Sequence, residues 1–323
     1  MIPLKSFAIS FLLFAVAACA GGPSTGTPAP ATNTAAAVPI AAPAPQAGRS
    51  LTTQPATQTA DGYKLVWADE FTKDGPLNPD DWIFERGFVR NQELQFYQPD
   101  NATCSGGTLI IEGRREEKAN PRQPRNIVPA QVAGNKNFEY TSASVLTRGK
   151  HSWLYGRFEI RAKIDTRPGS WPAFWTLGTA PGWPGNGEID IMEYYRNMVL
   201  ANIAWAKVGG GPQWNSKTKP LSSFTKDWSD QFHTWRMDWD ADFIKLYCDD
   251  NLMNSQDLSR TINPNGVNPF HAPAYLMLNL AIGGQNGGDP ANTTFPMKFQ
   301  IDYVRVYQKP SQIAAPATRP SKQ

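Results

Sequence analysis

The sequence predicts an all-β domain over residues 61–309, folded as a two-sheet β-sandwich or jelly roll. Three observations lead there. Period-two alternation is frequent: Phe158, Ile160, Ala162 and Ile164 alternate with Glu159, Arg161 and Lys163. Helical periodicity is scarce. The strand-like runs are separated by Gly, Pro and Asn turns, and no internal repeat breaks the domain into smaller units. Many short strands between such turns build sandwiches and jelly rolls rather than α/β layers. Two packed sheets that curve offer a concave face, where a polymer cleft can lie.

The elements follow in order. Residues 1–18 read as a signal peptide, because Lys5 precedes an apolar run from Phe7 to Ala18. That run is too short to span a membrane stably. Val16-Ala17-Ala18-Cys19 resembles a bacterial lipobox, which makes Cys19 the expected lipidation site and the first residue of the mature chain. No charged residue follows Cys19 directly, so the expected destination is the outer membrane. The chain is thus expected to be an exported cell-surface or periplasmic lipoprotein, meeting the membrane only through its lipid. Residues 19–60 are rich in Ala, Pro, Thr and Gly and read as an extended tether. Residues 310–323 read as a disordered tail.

Within the domain, Phe243-Ile244-Lys245-Leu246-Tyr247 runs into Asp249-Asp250-Asn251, a hairpin signal. Tyr275 to Ile282 is nearly continuous apolar sequence, as in a buried or cleft-lining strand. The loop Gly283 to Asp289 follows it without opening a helix, and its Gln285 is suited to hydrogen-bond sugar hydroxyls at a cleft rim. Met297 to Tyr307 closes the domain. Cys104 and Cys248 read as two buried thiols, with a disulfide as the alternative in an exported chain.

A formal net charge of +3 points to no strongly charged partner, and nucleic-acid binding has no support. None of the three His pairs with another at metal-ligand spacing. No phosphate-binding Gly motif or Gly-x-Ser-x-Gly elbow occurs. The chain has 11 Trp, of which roughly two-thirds are expected in the core and the rest on sugar-binding surfaces.

The chemistry is concentrated in Glu188-Ile189-Asp190-Ile191-Met192-Glu193. Burying one carboxylate is costly, and three together cost more. The run follows the turn residues Pro184-Gly185-Asn186-Gly187, so it reads as a strand. Side chains alternate on a strand, which puts Glu188 and Asp190 on one face and Glu193 on the other. A one-residue bulge near Ile191-Met192 returns Glu193 to the common face. The resulting row suits glycoside hydrolysis with retention, in which one carboxylate attacks the anomeric carbon and a protonated one serves the leaving oxygen. Such a pair stands roughly 5–5.5 Å apart.

Here the sequence resembles glycoside hydrolase family 16, whose signature is Glu-x-Asp-x-x-Glu on a bulged strand. The form with Met before the last Glu is similar to the laminarinase and β-glucanase-like branch, which also holds agarases and carrageenases, and not to the lichenase branch, which lacks the extra residue. Supporting stretches are Leu65 to Phe71, Asn91 to Tyr97, Gly156 to Arg161, Trp171 to Trp175, Phe232 to Trp235 and Ile301 to Tyr307. The resemblance implies a concanavalin A-like jelly roll acting as an endo-glycosidase on a polysaccharide. A β-1,3- or β-1,3-1,4-glucan is the leading substrate, with a galactan as the alternative. It implies Glu188 as nucleophile, Asp190 as the assisting residue and Glu193 as acid/base. It places Asn91, Trp171 and Trp175 at sugar subsites, and Trp205, near the position where laminarinases often carry a His, is expected to stack on a sugar ring with Trp171 and Trp175. No cofactor is required. A structural calcium with Asp302 among its ligands is the one metal implied, against an ordinary strand-start acid. The chain is expected to be a monomer. A transglycosylase of the same fold and a non-catalytic glycan-binding protein are the rivals. Release of reducing ends separates the binding protein from the enzymes.

Overall fold

The computed structural model describes residues 56–120, 128–180 and 182–313. The signal peptide, Cys19, most of the tether and residues 314–323 lie outside the described residues.

Seventeen strands follow one another in the described chain. The first nine are β1 (Lys64–Asp69), β2 (Ile83–Phe84), β3 (Gln95–Tyr97), β4 (Ala102–Cys104), β5 (Leu109–Ala119), β6 (Asn137–Ser142), β7 (Ser144–Leu146), β8 (Gly156–Lys163) and β9 (Ser170–Gly178). The rest are β10 (Glu188–Tyr195), β11 (Met198–Ala206), β12 (Pro212–Pro220), β13 (His233–Trp239), β14 (Phe243–Cys248), β15 (Asn251–Asp257), β16 (Ala274–Ile282) and β17 (Met297–Gln308). Ten form one sheet, whose main path runs β15-β14-β13-β8-β17-β5-β6-β3, with β1 on β17 and β4 on β5. Seven form the other, in the order β12-β11-β10-β9-β16-β7-β2. The domain is the predicted two-sheet sandwich.

The core lies between the sheets. Phe158, Ile160, Trp235 and Met237 from one sheet meet Phe174, Ile189, Leu276 and Leu278 from the other. Each such side chain contributes roughly 1.5–3 kcal/mol by leaving water. β8 alternates buried and half-buried residues as the sequence predicts. β16 is buried at all nine positions. Leu276, Leu278 and Leu280 enter the inter-sheet core, while Asn279 faces the cleft on the other side. That strand is therefore both buried and cleft-lining.

Two expectations need adjustment. The Gly283 loop does open a single helical turn, Gly284–Gly287. Residues 57–60, read as tether, belong to the domain edge: Gln58 pairs with Lys64, and the Leu65 N–H donates to the Thr57 carbonyl at 3.1 Å. Cys104 and Cys248 are free, buried thiols. Burial pushes the Cys104 thiol up to about 11 and Cys248 higher still, so neither is a ready nucleophile.

Gly178 ends β9 and lets the loop before β10 come close. Its N–H donates to the Gly187 carbonyl at 3.1 Å, and its carbonyl accepts from Asn186 Nδ2 at 3.1 Å. A Cβ there would stand 1.9 Å from the Asn186 carbonyl oxygen. Gly178→Ala is therefore expected to cost on the order of 3 kcal/mol. That is roughly 6–12 °C of melting temperature for a domain of this size. A thermal melt matching wild type would contradict this account of the loop.

Candidate active site

β10 forms the floor of a cleft on the outward face of the seven-stranded sheet. Against β11, Asp190 pairs with Asn202 and Glu193 with Leu200, so three steps on β10 match two on its neighbour. Against β9, Asp190 pairs with Trp175 and Met192 with Phe174. One extra residue is inserted, at Ile191-Met192, and both side chains are buried. The predicted bulge is present. Glu188, Asp190 and Glu193 all line the same cleft, which encloses about 730 Å³.

Each carboxylate has its own donors. Trp183 Nε1 donates to Glu188 Oε2 at 2.7 Å. Trp171 Nε1 donates to Glu193 Oε1 at 2.7 Å. Asn202 Nδ2 bridges Asp190 Oδ2 at 3.2 Å and Glu193 Oε2 at 2.9 Å. Burial pushes Asp190 well above the usual carboxylate range, reinforced by the charges of Glu188 and Glu193. A hydrogen bond between Asp190 and Glu188 raises the Asp190 carboxyl further and lowers Glu188. Burial also pushes Glu188 up to about 7, opposed by the Trp183 hydrogen bond, the Arg90 charge and the Asp190 hydrogen bond. Glu193 rises to about 7 through burial, opposed by Trp171 and Asn202 but reinforced by the charges of Glu188 and Glu93.

The two Glu environments therefore differ in kind. Glu188 faces a cation and two donors, which favour its charged form. Glu193 also has two donors, Trp171 and Asn202, but it faces the like charges of Glu188 and Glu93 in place of a cation.

Among the other predicted residues, Asn91, Trp171, Trp175 and Gln285 line the cleft. Trp205 does not. β11 and β12 pair without interruption, and Asn202 points into the cleft, so Trp205, three residues on, points into the inter-sheet core. Asp302 lies away from the cleft, and its carboxylate is taken by Arg161 Nη1 at 2.7 Å. No group of three His, Cys, Asp or Glu side chains able to hold a metal occurs among the described residues. The ion pair with Arg161 gives the Asp302 carboxylate a structural role between β8 and β17.

Sequence reasoning missed several lining residues: Arg90, Glu93, Trp183, Asn202, Trp214 and Asn279. Trp183 and Trp214 are 51% and 39% exposed, with ring centroids 6.5 Å apart at the rim. Seven of the 11 Trp pack into or against the core, and Trp171, Trp175, Trp183 and Trp214 serve the cleft. The signal that was available for Asn202 is parity, since it is the one polar residue within the apolar run of β11.

Residues 111–305 match the profile of the Glycosyl hydrolases family 16. The chain belongs to glycoside hydrolase family 16. It is 37% identical over 269 residues to the beta-glucanase of Rhodothermus marinus, covering 76% of this chain and 85% of that one. The laminarinase catalytic domain of Thermotoga maritima superposes with a TM-score of 0.64 at 32% identity, covering 76% of this chain and 98% of that one. A structure solved in work on endo-acting O-glycanases, with which prominent human gut bacteria initiate mucin breakdown, gives a TM-score of 0.72. It is 36% identical and covers 80% of this chain and 95% of that one. The chain is thus a family 16 glycosidase of the laminarinase and β-glucanase kind, hydrolysing O-glycosyl bonds. This chemistry needs no cofactor.

Proposed function

We propose that this family 16 enzyme cleaves internal bonds of a neutral β-1,3- or β-1,3-1,4-glucan with retention, using Glu188, Asp190 and Glu193. The observation that carries the reading is the bulged register of β10, which brings all three carboxylates to one cleft floor. The ionised Glu188 attacks the anomeric carbon while Glu193 gives its proton to the glycosidic oxygen. The bond to the leaving sugar breaks and an ester to Glu188 forms. Glu193, now a carboxylate, takes a proton from water, and that water attacks the same carbon and frees Glu188. Asp190 holds the Glu188 carboxylate by its hydrogen bond.

The neutral-glucan reading has two supports. Aromatic side chains lie to both sides of the catalytic strand: Trp171 and Trp175 on β9, and Trp214 on β12. Flat rings at both sides suit a polymer that crosses the cleft. Arg90, the one guanidinium lining the cleft among the described residues, is paired with Glu85 and lies over the Trp175 ring, 5.2 Å from its centroid. Sulfated polymers would need cations turned toward the substrate. On a panel of laminarin, mixed-linkage glucan, agar-type galactans and mucin O-glycans, internal cleavage of the two glucans is expected. It is read by reducing-end release and mass spectrometry. Cleavage confined to galactans or mucin glycans would overturn the substrate assignment and leave the chemistry standing.

Val16-Ala17-Ala18-Cys19 supports a further part of the reading, export as a lipoprotein of the outer membrane. Labelled fatty acid is expected on the wild-type chain expressed in a bacterium and absent from Cys19→Ser. Equal labelling of both would exclude Cys19 as the anchor.

A further inference from the structure

Glu93 is a buried carboxylate that neither attacks the sugar nor transfers a proton to it. It is 3% exposed and lies beneath the cleft beside Gln95, Tyr97 and Asn279, which are 1%, 0% and 4% exposed. The four side chains form one hydrogen-bonded relay. Trp175 Nε1 donates to Asn279 Oδ1 at 2.7 Å, and Asn279 Nδ2 donates to the Tyr97 hydroxyl at 3.2 Å. The Tyr97 hydroxyl donates to Glu93 Oε2 at 3.0 Å, and Gln95 Nε2 donates to the same oxygen at 2.8 Å. Asn91 Nδ2 reaches Glu93 Oε1 at 3.3 Å. The relay thus joins Trp175 on β9 to Asn91 on the loop before β3, both in the cleft.

The residue type is informative. A site that needed only volume would carry an apolar side chain, since burying a carboxylate is costly. Three donors converge on the two oxygens of Glu93, from Asn91, Gln95 and Tyr97, and a carboxyl has the lone pairs to accept them all. A Gln of the same shape would turn an N–H toward one of those donors. The surroundings fix the hub further. Gly284 has a φ of +67°, and a Cβ on it would meet the Asn91 carbonyl oxygen at 2.8 Å and the Glu93 backbone at 2.9 Å. The Gln285 N–H donates to that same Asn91 carbonyl at 2.9 Å.

We propose that Glu93 is a positioning residue for substrate: through Tyr97 and Asn279 it fixes the Trp175 indole, and directly it fixes Asn91, so that one sugar ring is presented in one orientation. This rests on the reading of the cleft as a glycan site. A double-mutant cycle between Tyr97→Phe and Trp175→Ala tests it. Kinetics are measured on whichever polysaccharide the wild type cleaves fastest, so a wrong substrate assignment leaves the cycle readable. Tyr97→Phe is expected to lower kcat/KM roughly tenfold in the wild-type background, mostly through KM, the size of one hydrogen bond to a charged group. In the Trp175→Ala background the same change is expected to cost less than about twofold, because the ring it positions is gone. Glu93→Gln should repeat the pattern. Equal factors in both backgrounds, with or without a lowered melting temperature, would mean that the relay only supports the fold and would overturn the proposal.

Discussion

Glu188→Ala and Glu193→Ala are each expected to lose nearly all activity while keeping the circular dichroism spectrum of the wild type. Loss of the nucleophile removes the covalent step, and a fall in kcat of about 10⁴-fold or more is expected. Loss of the acid/base is expected to cost about 10²–10⁴-fold on a natural glycan. It should cost far less in bond cleavage on an aryl glycoside whose leaving group needs no proton. That contrast separates the two roles, because the Glu188 variant gains nothing from a better leaving group. The fold is expected to survive, since both carboxylates destabilise it. Each is buried and raised to about 7, so at neutral pH the domain bears the cost of holding charge out of water. Full activity in either variant would end the assignment.

The second large effect is on pH. Glu193 must carry a proton to act, and its carboxyl is raised to about 7, first by burial. kcat/KM is therefore expected to fall above pH 7 by about tenfold per unit. The stability profile should follow the same groups. The folded pKa of Glu193 lies above its unfolded value of 4.5, so its contribution is fully present below that value and is lost as pH rises through about 7. The shift corresponds to roughly 3 kcal/mol across that window. Wild type should lose stability between pH 5 and 9 more steeply than Glu193→Gln, which has no proton to lose there. Denaturant titrations at several pH values measure both slopes. Parallel slopes would mean that Glu193 titrates as an ordinary carboxylate.

The catalytic strand was legible because its chemistry conflicts with its setting. Three acids in an apolar run make no sense as a core, and the parity of Glu193 required a bulge that β10 contains. The sandwich was legible for the opposite reason, since strands such as β8 alternate without conflict. Trp183 and Trp214 were not legible. One sits in a Pro/Gly turn and the other on the exposed strand β12, and only the folded loop brings them to one rim. Trp205 was placed by its likeness to a family His position and not by the parity of its own strand. β11 keeps its own phase against β12, so the polar Asn202 marks the cleft side and Trp205 falls on the core side. Glu93 stood two residues from Asn91, already placed at a sugar subsite, yet its role depends on Tyr97 and Asn279, the latter far away in sequence.

The account rests on Glu188 forming a covalent bond to the sugar. Incubation with an activated 2-deoxy-2-fluoro-β-glucan oligosaccharide, followed by proteolysis and mass spectrometry, tests this directly. One glycosyl group is expected per chain, on the peptide carrying Glu188. A label on Glu193 or Asp190, or turnover of substrate with no labelled enzyme at any time, would contradict it.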